Sequence, residues 1–464
     1  MEDRTLAPGT RALVVFCASL ALLAAGCAEQ GDTGTSSPAK DTGNPVSTPT
    51  ASRPVPSGGK GSKDPDDING DGHRDLLLAV PSRGQNADGR TGVVFGSAKG
   101  LDPSTHAVYD YAPGTVVTAD LDGDGYPDFI TVITEKVPEE ESESGWYTDR
   151  RRPVVNWGGP SGPKAGGEAT RIEIPEGGPG VDLTDPERGD FDGDGHHDIA
   201  ALRQDGSVVL LYGPFTRSGA AARTDTRPGK GSRLVADDIE PSGKARATGL
   251  LVHEGDDGEQ TGGVLYPARA GSGLSRSPVE LRDGNATAFG DYDGDGVRDL
   301  AIGDNGSSNN EPGASVEKPE WDSSLAVYPG KGGDPVTHKI PRSDNSYYGP
   351  GGYTSADPDG DGKDGILVAT DDNALLIEGE KRTKILREGP PRAKGKKTPA
   401  RWRHARPYAA ADFDADGKEE LVMNWGAGTL FGLYGDQPSH WWITDGTTAR
   451  DKTAFTTTAF RGRG

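Results

Sequence analysis

The stretch Ala119–Val132, ADLDGDGYPDFITV, sets Asp120, Asp122, Asp124 and Asp128 at positions 1, 3, 5 and 9 of a short loop, with Gly125 at position 6. A hard cation of calcium's size takes six to eight oxygens at roughly 2.3–2.6 Å, and a turn presenting every second side chain inward converges carboxylates 1, 3 and 5 on one point. The glycine permits the sharp reversal, the backbone carbonyl of Tyr126 at position 7 adds an oxygen, and Asp128 closes the site. The spacing predicts a calcium loop.

The pattern recurs along the chain. Asp67, Asn69, Asp71 and Asp75 form the first copy, with His73 at position 7; Asp190, Asp192, Asp194 and Asp198 form the third, with His196 at position 7. Asp291, Asp293, Asp295 and Asp299 form the fifth around Val297, and Asp412, Asp414, Asp416 and Glu420 the seventh around Lys418. Position 7 contributes only its backbone, so its side chain is free to vary. The sixth copy has Asp357, Asp359, Asp361 and Lys363 in place, but position 9 is Gly365 with Asp364 beside it, and a weaker or water-completed site is expected there. In the fourth, DIEPSGKAR, Asp238, Glu240 and Ser242 are followed by Arg246 where the closing acid should stand. A guanidinium there is expected to pair with the two acids in place of an ion, leaving this loop empty. Five or six calcium ions are expected in all.

Two other readings of the loops are weaker. Ordinary acidic turns do not require an acid at position 9 in five of seven copies. An EF-hand or dockerin loop would carry a bidentate Glu at position 12 and lead into a helix. Here position 12 is Leu78, Thr131, Ala201 or Ile302, and the loops run into DLLLAV, DFITVI, DLAIG and ELVMNW, which have the composition of buried strands.

Units that begin at residues 67, 120, 190, 238, 291, 357 and 412 repeat at the period of a propeller or solenoid. A second signal keeps step: an apolar or aromatic run ending in glycine or proline, as in Val94-Phe95-Gly96, Asn156-Trp157-Gly158, Leu211-Tyr212-Gly213, Leu265-Tyr266-Pro267, Val327-Tyr328-Pro329 and Leu433-Tyr434-Gly435. Each unit is expected to be strand, calcium loop, strand, turn, aromatic strand, turn, strand: a four-stranded antiparallel blade. From about Asp64 onward these residues resemble the FG-GAP repeats, grouped with VCBS-type repeats, of the integrin alpha-chain propeller and many bacterial secreted proteins. The resemblance implies an all-β, seven-bladed β-propeller with calcium in the hairpin between strands 1 and 2 of a blade. An open ring would expose two sheet edges, and the ending Thr456–Gly462 looks like Asn285–Gly290, so the C-terminal strand is expected to complete the first blade.

Three segments follow. Residues 1–27 have the layout of an export signal: Arg4 and Arg11, an apolar run from Ala12 to Leu23, then Ala24-Ala25-Gly26-Cys27, which resembles a lipobox except for alanine three residues before the cysteine. Cys27 is the expected lipidation site, which gives a membrane-anchored chain; an ordinary signal peptide gives a secreted one. Residues 28–63, rich in Gly, Ser, Thr and Pro, are expected to form a disordered tether, and 64–464 the propeller. Cys17 falls in the removed segment, so the mature chain has no cysteine for a disulfide, a zinc site or a nucleophile. Bound calcium would instead stabilise the fold by mass action.

The formal net charge of −22 argues against nucleic acid, and most of it lies in the loops. In antiparallel blades the 2-to-3 and blade-to-blade connections lie opposite the calcium loops. That face carries insertions at Glu135–Arg152 and Asp304–Asp322, with Trp146, Tyr147 and Trp321, and a basic run from Lys381 to Arg406 that includes Trp402. Charges beside aromatic residues suit a glycan or polyanion, so the expected function is a monomeric binding or adhesion module whose glycan or protein ligand sits on this face. No serine-nucleophile elbow, zinc-protease helix or P-loop is present. The alternative is a lyase or glycosidase that gathers acids from several blades at the axis.

Overall fold

A computed structural model describes residues 56, 58–80, 90–112, 114–136, 149–164, 167–174, 183–255, 260–306, 321–341, 352–370, 374–393, 395–426 and 439–460. The export signal with Cys27, nearly all of the tether, Trp146, Tyr147, the run Leu433–Gly435 and most of both insertions lie outside these residues.

Among the described residues seven antiparallel sheets follow one another in chain order as a seven-bladed propeller, with two further two-stranded hairpins, one of which (Ala268–Arg269 with Gly273–Leu274) comes between the third and fourth strands of blade 4. Blade 2 is typical: Val117–Ala119, Asp128–Lys136, Asp149–Asn156 and Thr170–Arg171, with the acidic loop joining the first two strands. No α-helix occurs among the described residues, only short 3-10 turns such as Ala400–Trp402 and Thr457–Phe460. None of their helices is long and apolar enough to cross a membrane.

The middle strands are apolar on both faces because both faces are covered. Ile199–Leu202, Val208–Tyr212 and Ile366–Ala369 are buried without alternation. One apolar cluster fills each seam between neighbouring blades, for example Leu202, Leu210 and Tyr212 of blade 3 against Leu234, Leu250 and Val252 of blade 4. Such clusters occupy all seven seams. Each large aliphatic or aromatic side chain buried there is worth about 1.5–3 kcal/mol. The residue before loops 2, 3, 5, 6 and 7 is small, Ala119, Gly189, Gly290, Ala356 or Ala411. A Cβ on Gly189 would stand 2.4 Å from the Phe191 ring.

Closure differs from the sequence expectation. The third strand of blade 7 is His440–Thr444, so Asp451–Thr456 is that blade's fourth strand and does not complete blade 1. Blade 1 keeps three described strands, Leu76–Val80, Arg90–Val94 and His106–Tyr109. The chain end closes the ring by a side chain: Phe460, after its 3-10 turn, stacks on His106 at 3.9 Å and enters the seam of Leu76, Val80 and Val94 with Phe413, Trp441 and Ile443. Where an inner strand of blade 1 would lie, the chain before Asp67 makes polar closures. Gly59 N–H donates to Asn69 O at 2.9 Å, Ser62 N–H to Gly125 O at 2.7 Å, and Tyr126 Oη to Gly59 O at 3.0 Å. Residues of the expected tether, Gly59 and Ser62 among them, thus make backbone contacts with the first two loops. Asp66 binds both arms of Arg188, on the first strand of blade 3, at 2.6 and 2.7 Å, and accepts from Thr118 Oγ1 at 2.7 Å. Burial pushes the Asp66 carboxyl up, but Arg188 and Arg74 more than reverse this and hold it far below the usual carboxylate range.

Candidate metal centres and the axial ring

The acidic loops fold by local hydrogen bonding of the kind Asp performs in turns. The position 1 carboxylate gathers the N–H groups of the turn: Asp291 Oδ1 accepts from Gly294 and Asp295, at 2.9 and 3.0 Å, and Oδ2 from Gly296 at 2.8 Å. Position 5 accepts from the position 7 N–H, as Asp124 does from Tyr126 at 3.0 Å and Asp194 from His196 at 2.8 Å. Positions 4 and 6 turn left-handed, as in Gly123 and Gly125 at φ 75° and 88°; in loop 7 position 4 is Ala415, held at φ 58° without the freedom of glycine.

This folding brings the expected side chains together. Asp120, Asp122 and Asp124, and likewise 190/192/194, 291/293/295 and 357/359/361, place carboxylate oxygens within 4.8 Å of one another; in loop 7 the convergent set is Asp412, Asp414 and Glu420. Buried oxygens of Asp120, Asp192 and Asp414, each an Oδ1, have no hydrogen-bond donor. Burial followed by neighbouring acids raises Asp122, and burial raises Asp67, Asp120 and Asp190 despite their backbone donors. Acceptors that are buried, mutually repelling and partly unpaired are suited to a divalent cation. The donor set thus fits calcium, which would be held by positions 1, 3 and 5 with the position 7 carbonyl and would supply the missing positive charge.

Position 9 has a further task that sequence did not reveal. Asp75 Oδ2 accepts from Ile68 N–H at 2.8 Å and Oδ1 from Gly96 N–H at 2.7 Å. Asp128 ties Leu121 to Gly158, Asp198 ties Phe191 to Gly213, and Asp299 ties Tyr292 to Gly330 in the same way. The closing acid is a staple between its loop and the turn after the third strand. That explains why the aromatic-glycine signal keeps step with the acid. Loop 6, with Gly365 at position 9, lacks this staple. Its neighbour Asp364 turns toward the axis, accepting Asp291 N–H at 2.7 Å and pairing with Arg298 at 2.9 Å.

Loop 4 departs in detail from expectation. Arg246 pairs with the carboxylate of Asp237 and the carbonyl of Asp238, one residue before the expected acids, while Glu240 caps its own turn through Ser242 at 3.0 Å. Arg246 thus does not make the expected pair with the carboxylates of Asp238 and Glu240.

The task of position 8 was not visible in the sequence, where only Asp364 stood out, as an acid beside position 9. In blades 3, 6 and 7 position 8 is His197, Asp364 and Glu419, and each caps the position 1 N–H of the preceding blade: Asp120 to His197 Nδ1 at 2.8 Å, Asp291 to Asp364, and Asp357 to Glu419 Oε2 at 2.8 Å. In blade 4 Thr248 does the same for Asp190 at 2.9 Å. Burial, with Arg188 and Lys63 nearby, lowers His197 to about 3, so the ring is neutral and its Nδ1 accepts. Burial raises Glu419 to about 7. Asp364 and Glu419 border an axial cavity of about 550 Å³ on the calcium-loop face, lined also by Asp291, Arg298, Asp357 and Asp412. The available signal was a polar or charged residue recurring at one loop position with no intraloop task.

On the opposite face, Arg282 lies 4.5 Å over the ring of Trp321 and Arg401 lies 4.7 Å over that of Trp402, so each indole already carries a cation. The connection between blades 6 and 7 contains a two-stranded hairpin of Arg392–Ala393 and Lys396–Lys397.

Residues 67–131 match the FG-GAP-like repeat family, a span covering the first unit and the second loop. The match and the seven-bladed ring support the resemblance seen in the sequence. No curated protein matches the chain. Similar solved structures include BBS1N in complex with ARL6DN, soaked with lead (TM-score 0.44, 9% identity, 82% of this chain and 94% of that one). The Dos1 propeller gives a TM-score of 0.41 at 10% identity, covering 74% of each chain. The V. cholerae biofilm matrix protein Bap1 gives 0.29 at 11% identity, over 82% of this chain and 88% of that one. Likeness of this degree says nothing of function.

Proposed function

We propose that this chain is a calcium-stabilised, extracytoplasmic FG-GAP-like propeller, tethered to a membrane through Cys27 or secreted, that acts as a binding or adhesion module for an anionic glycan or acidic protein surface. The observation that carries this reading is the basic hairpin at Arg392–Lys397, set on a rigid ring and flanked by the arginine-capped Trp402. Exposed cations such as Arg392 and Lys397 on a fixed scaffold recognise polyanions with little ordering cost. Calcium belongs to the opposite side, where it would hold the loops in register.

The test is binding of the calcium-loaded protein to sulfated and carboxylated polysaccharides and to neutral ones. Saturable binding to the acidic polymers that weakens with salt, and falls at least tenfold in a Lys396→Ser/Lys397→Ser variant with unchanged melting, is expected. Binding that ignores both salt and the lysines refutes the assignment.

The axial cavity favours a second reading, an enzyme acting on extracellular polysaccharide, because acids from separate blades do meet there. Asp364 and Glu419 are however both engaged as caps of neighbouring blades, and Asp364 is ion-paired. New reducing ends from a polysaccharide panel, lost in Glu419→Gln, would establish the enzyme over the binder.

A further inference from the structure

Four of the acidic loops receive a basic side chain from near a turn between strands 3 and 4, loops 3, 5 and 7 from their own blade and loop 2 from blade 3. Arg217 reaches Asp122 and Asp124 in loop 2, Arg223 reaches Asp192 at 2.5 Å in loop 3, and Lys331 reaches Asp295 at 2.9 Å in loop 5. These three side chains are 51%, 48% and 57% exposed, and each meets one or two of its loop's carboxylates. Lys452 in loop 7 is different. It is 24% exposed, and its ammonium meets Asp414 Oδ2 at 2.6 Å, Asp416 Oδ2 at 3.1 Å and Glu420 Oε1 at 2.6 Å, three of the four side-chain ligand positions.

An ammonium has three N–H donors and no acceptor, and here all three find carboxylates. A second feature of loop 7 agrees. In loops 1, 2, 3 and 5 the second oxygen of the closing acid is held by a glycine N–H after the third strand, whereas Glu420 Oε1 is held by Lys452 instead. The closing acid is Glu in this loop alone, one methylene longer than the aspartates, and that reach takes its carboxylate to the lysine. A calcium ion and a protonated amine cannot share three carboxylates, since like charges in contact repel.

We infer that loop 7 carries Lys452 as its own built-in cation, occupies its acidic cluster without metal, and has a latent calcium site that removal of the amine would open. Asp414 Oδ1, buried and without a donor, is the acceptor left for an incoming ion. With loop 4 filled by Arg246, the inference sets the calcium content at five ions, in loops 1, 2, 3, 5 and 6.

The test is calcium per chain, by elemental analysis after equilibration with calcium alone, for the full chain and two single variants. Lys452→Met keeps the apolar stem that packs along the loop and should bind one ion more than the parent. Asp414→Asn in the parent background keeps the shape of the loop and should leave the content unchanged, because no ion is there to lose. A loss of one ion in Asp414→Asn overturns the inference, and so does a Lys452→Met protein that gains none. If Lys452→Met does not fold, Lys452→Gln replaces it, and the Asp414→Asn result stands on its own.

Discussion

Replacing Asp66 by alanine tests how the ring is closed. Asp66 lies where blade 1 has no described inner strand, and its carboxylate takes both arms of Arg188 at 2.6 and 2.7 Å together with Thr118 Oγ1. After the substitution Arg188 retains only the Thr118 hydroxyl and carbonyl. Breaking one side of a buried ion pair costs about 3–5 kcal/mol. Side-chain exposures of 16% and 18% at Arg188 and Asp66 put the expected loss near the lower end, about 3 kcal/mol. With an unfolding entropy near 2.1 cal/mol/K per residue, a ring of about 400 residues changes by roughly 0.8 kcal/mol per degree, so this loss lowers Tm by only about 4 °C. The assay is scanning calorimetry in saturating calcium, with Arg188→Met and the double variant completing a cycle. The double variant should melt above Asp66→Ala, because it leaves no unpaired charge. The carboxyl is depressed in the folded protein, so its contribution is full above the usual carboxylate range and fades as pH falls through the depressed value. An Asp66→Ala protein that melts within 1 °C of the parent, or a double variant showing the sum of the single losses, refutes the closure role.

Three further outcomes follow from the same geometry. Burial and then Asp185 raise Glu187 to about 8, from 4.5 in the unfolded chain, so its stabilising contribution is present below about 4.5 and lost as pH rises through 8. Glu187→Gln should therefore equal the parent at pH 4 and exceed it above pH 8 by on the order of a few kcal/mol in denaturant melts; identical pH profiles would contradict this. Phe460→Ala removes a side chain that is 1% exposed from the seam between blades 7 and 1 and should cost about 3–5 kcal/mol, whereas a neutral result would mean that the chain end does not close the ring. Ala415→Gly relieves a left-handed alanine and should raise stability by about 1 kcal/mol in the same melts, with no gain if the turn is unstrained.

The loops and blade count were legible because both rest on short-range chemistry. Positions 1, 3, 5 and 6 do their work within nine residues, and DLLLAV or DLAIG declares a strand without reference to anything distant. What escaped depends on a neighbouring blade. His197, Asp364 and Glu419 have tasks only because another blade's position 1 N–H lies beside them. Arg246 was expected to pair with Asp238 and Glu240, but its carboxylate partner is Asp237, which depends on a path that spacing does not encode. The C-terminal strand was misplaced by a slip of one strand. The aromatic-glycine signal pointed to Leu433–Gly435, while pairing chose His440–Thr444, which has Trp441 and Trp442 but no glycine directly after it. Phe460 then does with one ring what the expected strand would have done with a ladder.

The position 8 caps, together with Thr248 in blade 4, give the propeller a sense of rotation. Each described cap comes from the later blade and serves the earlier one: blade 3 to 2, blade 4 to 3, blade 6 to 5, blade 7 to 6. A disturbance in one loop therefore reaches its predecessor before its successor. Loosening loop 6 withdraws Asp364 from Asp291, whereas loosening loop 5 leaves Asp364 with its own blade. Amide exchange after a single loop substitution should accelerate on one side of the lesion only, so that the ring transmits damage like a ratchet, against the direction in which the chain is made.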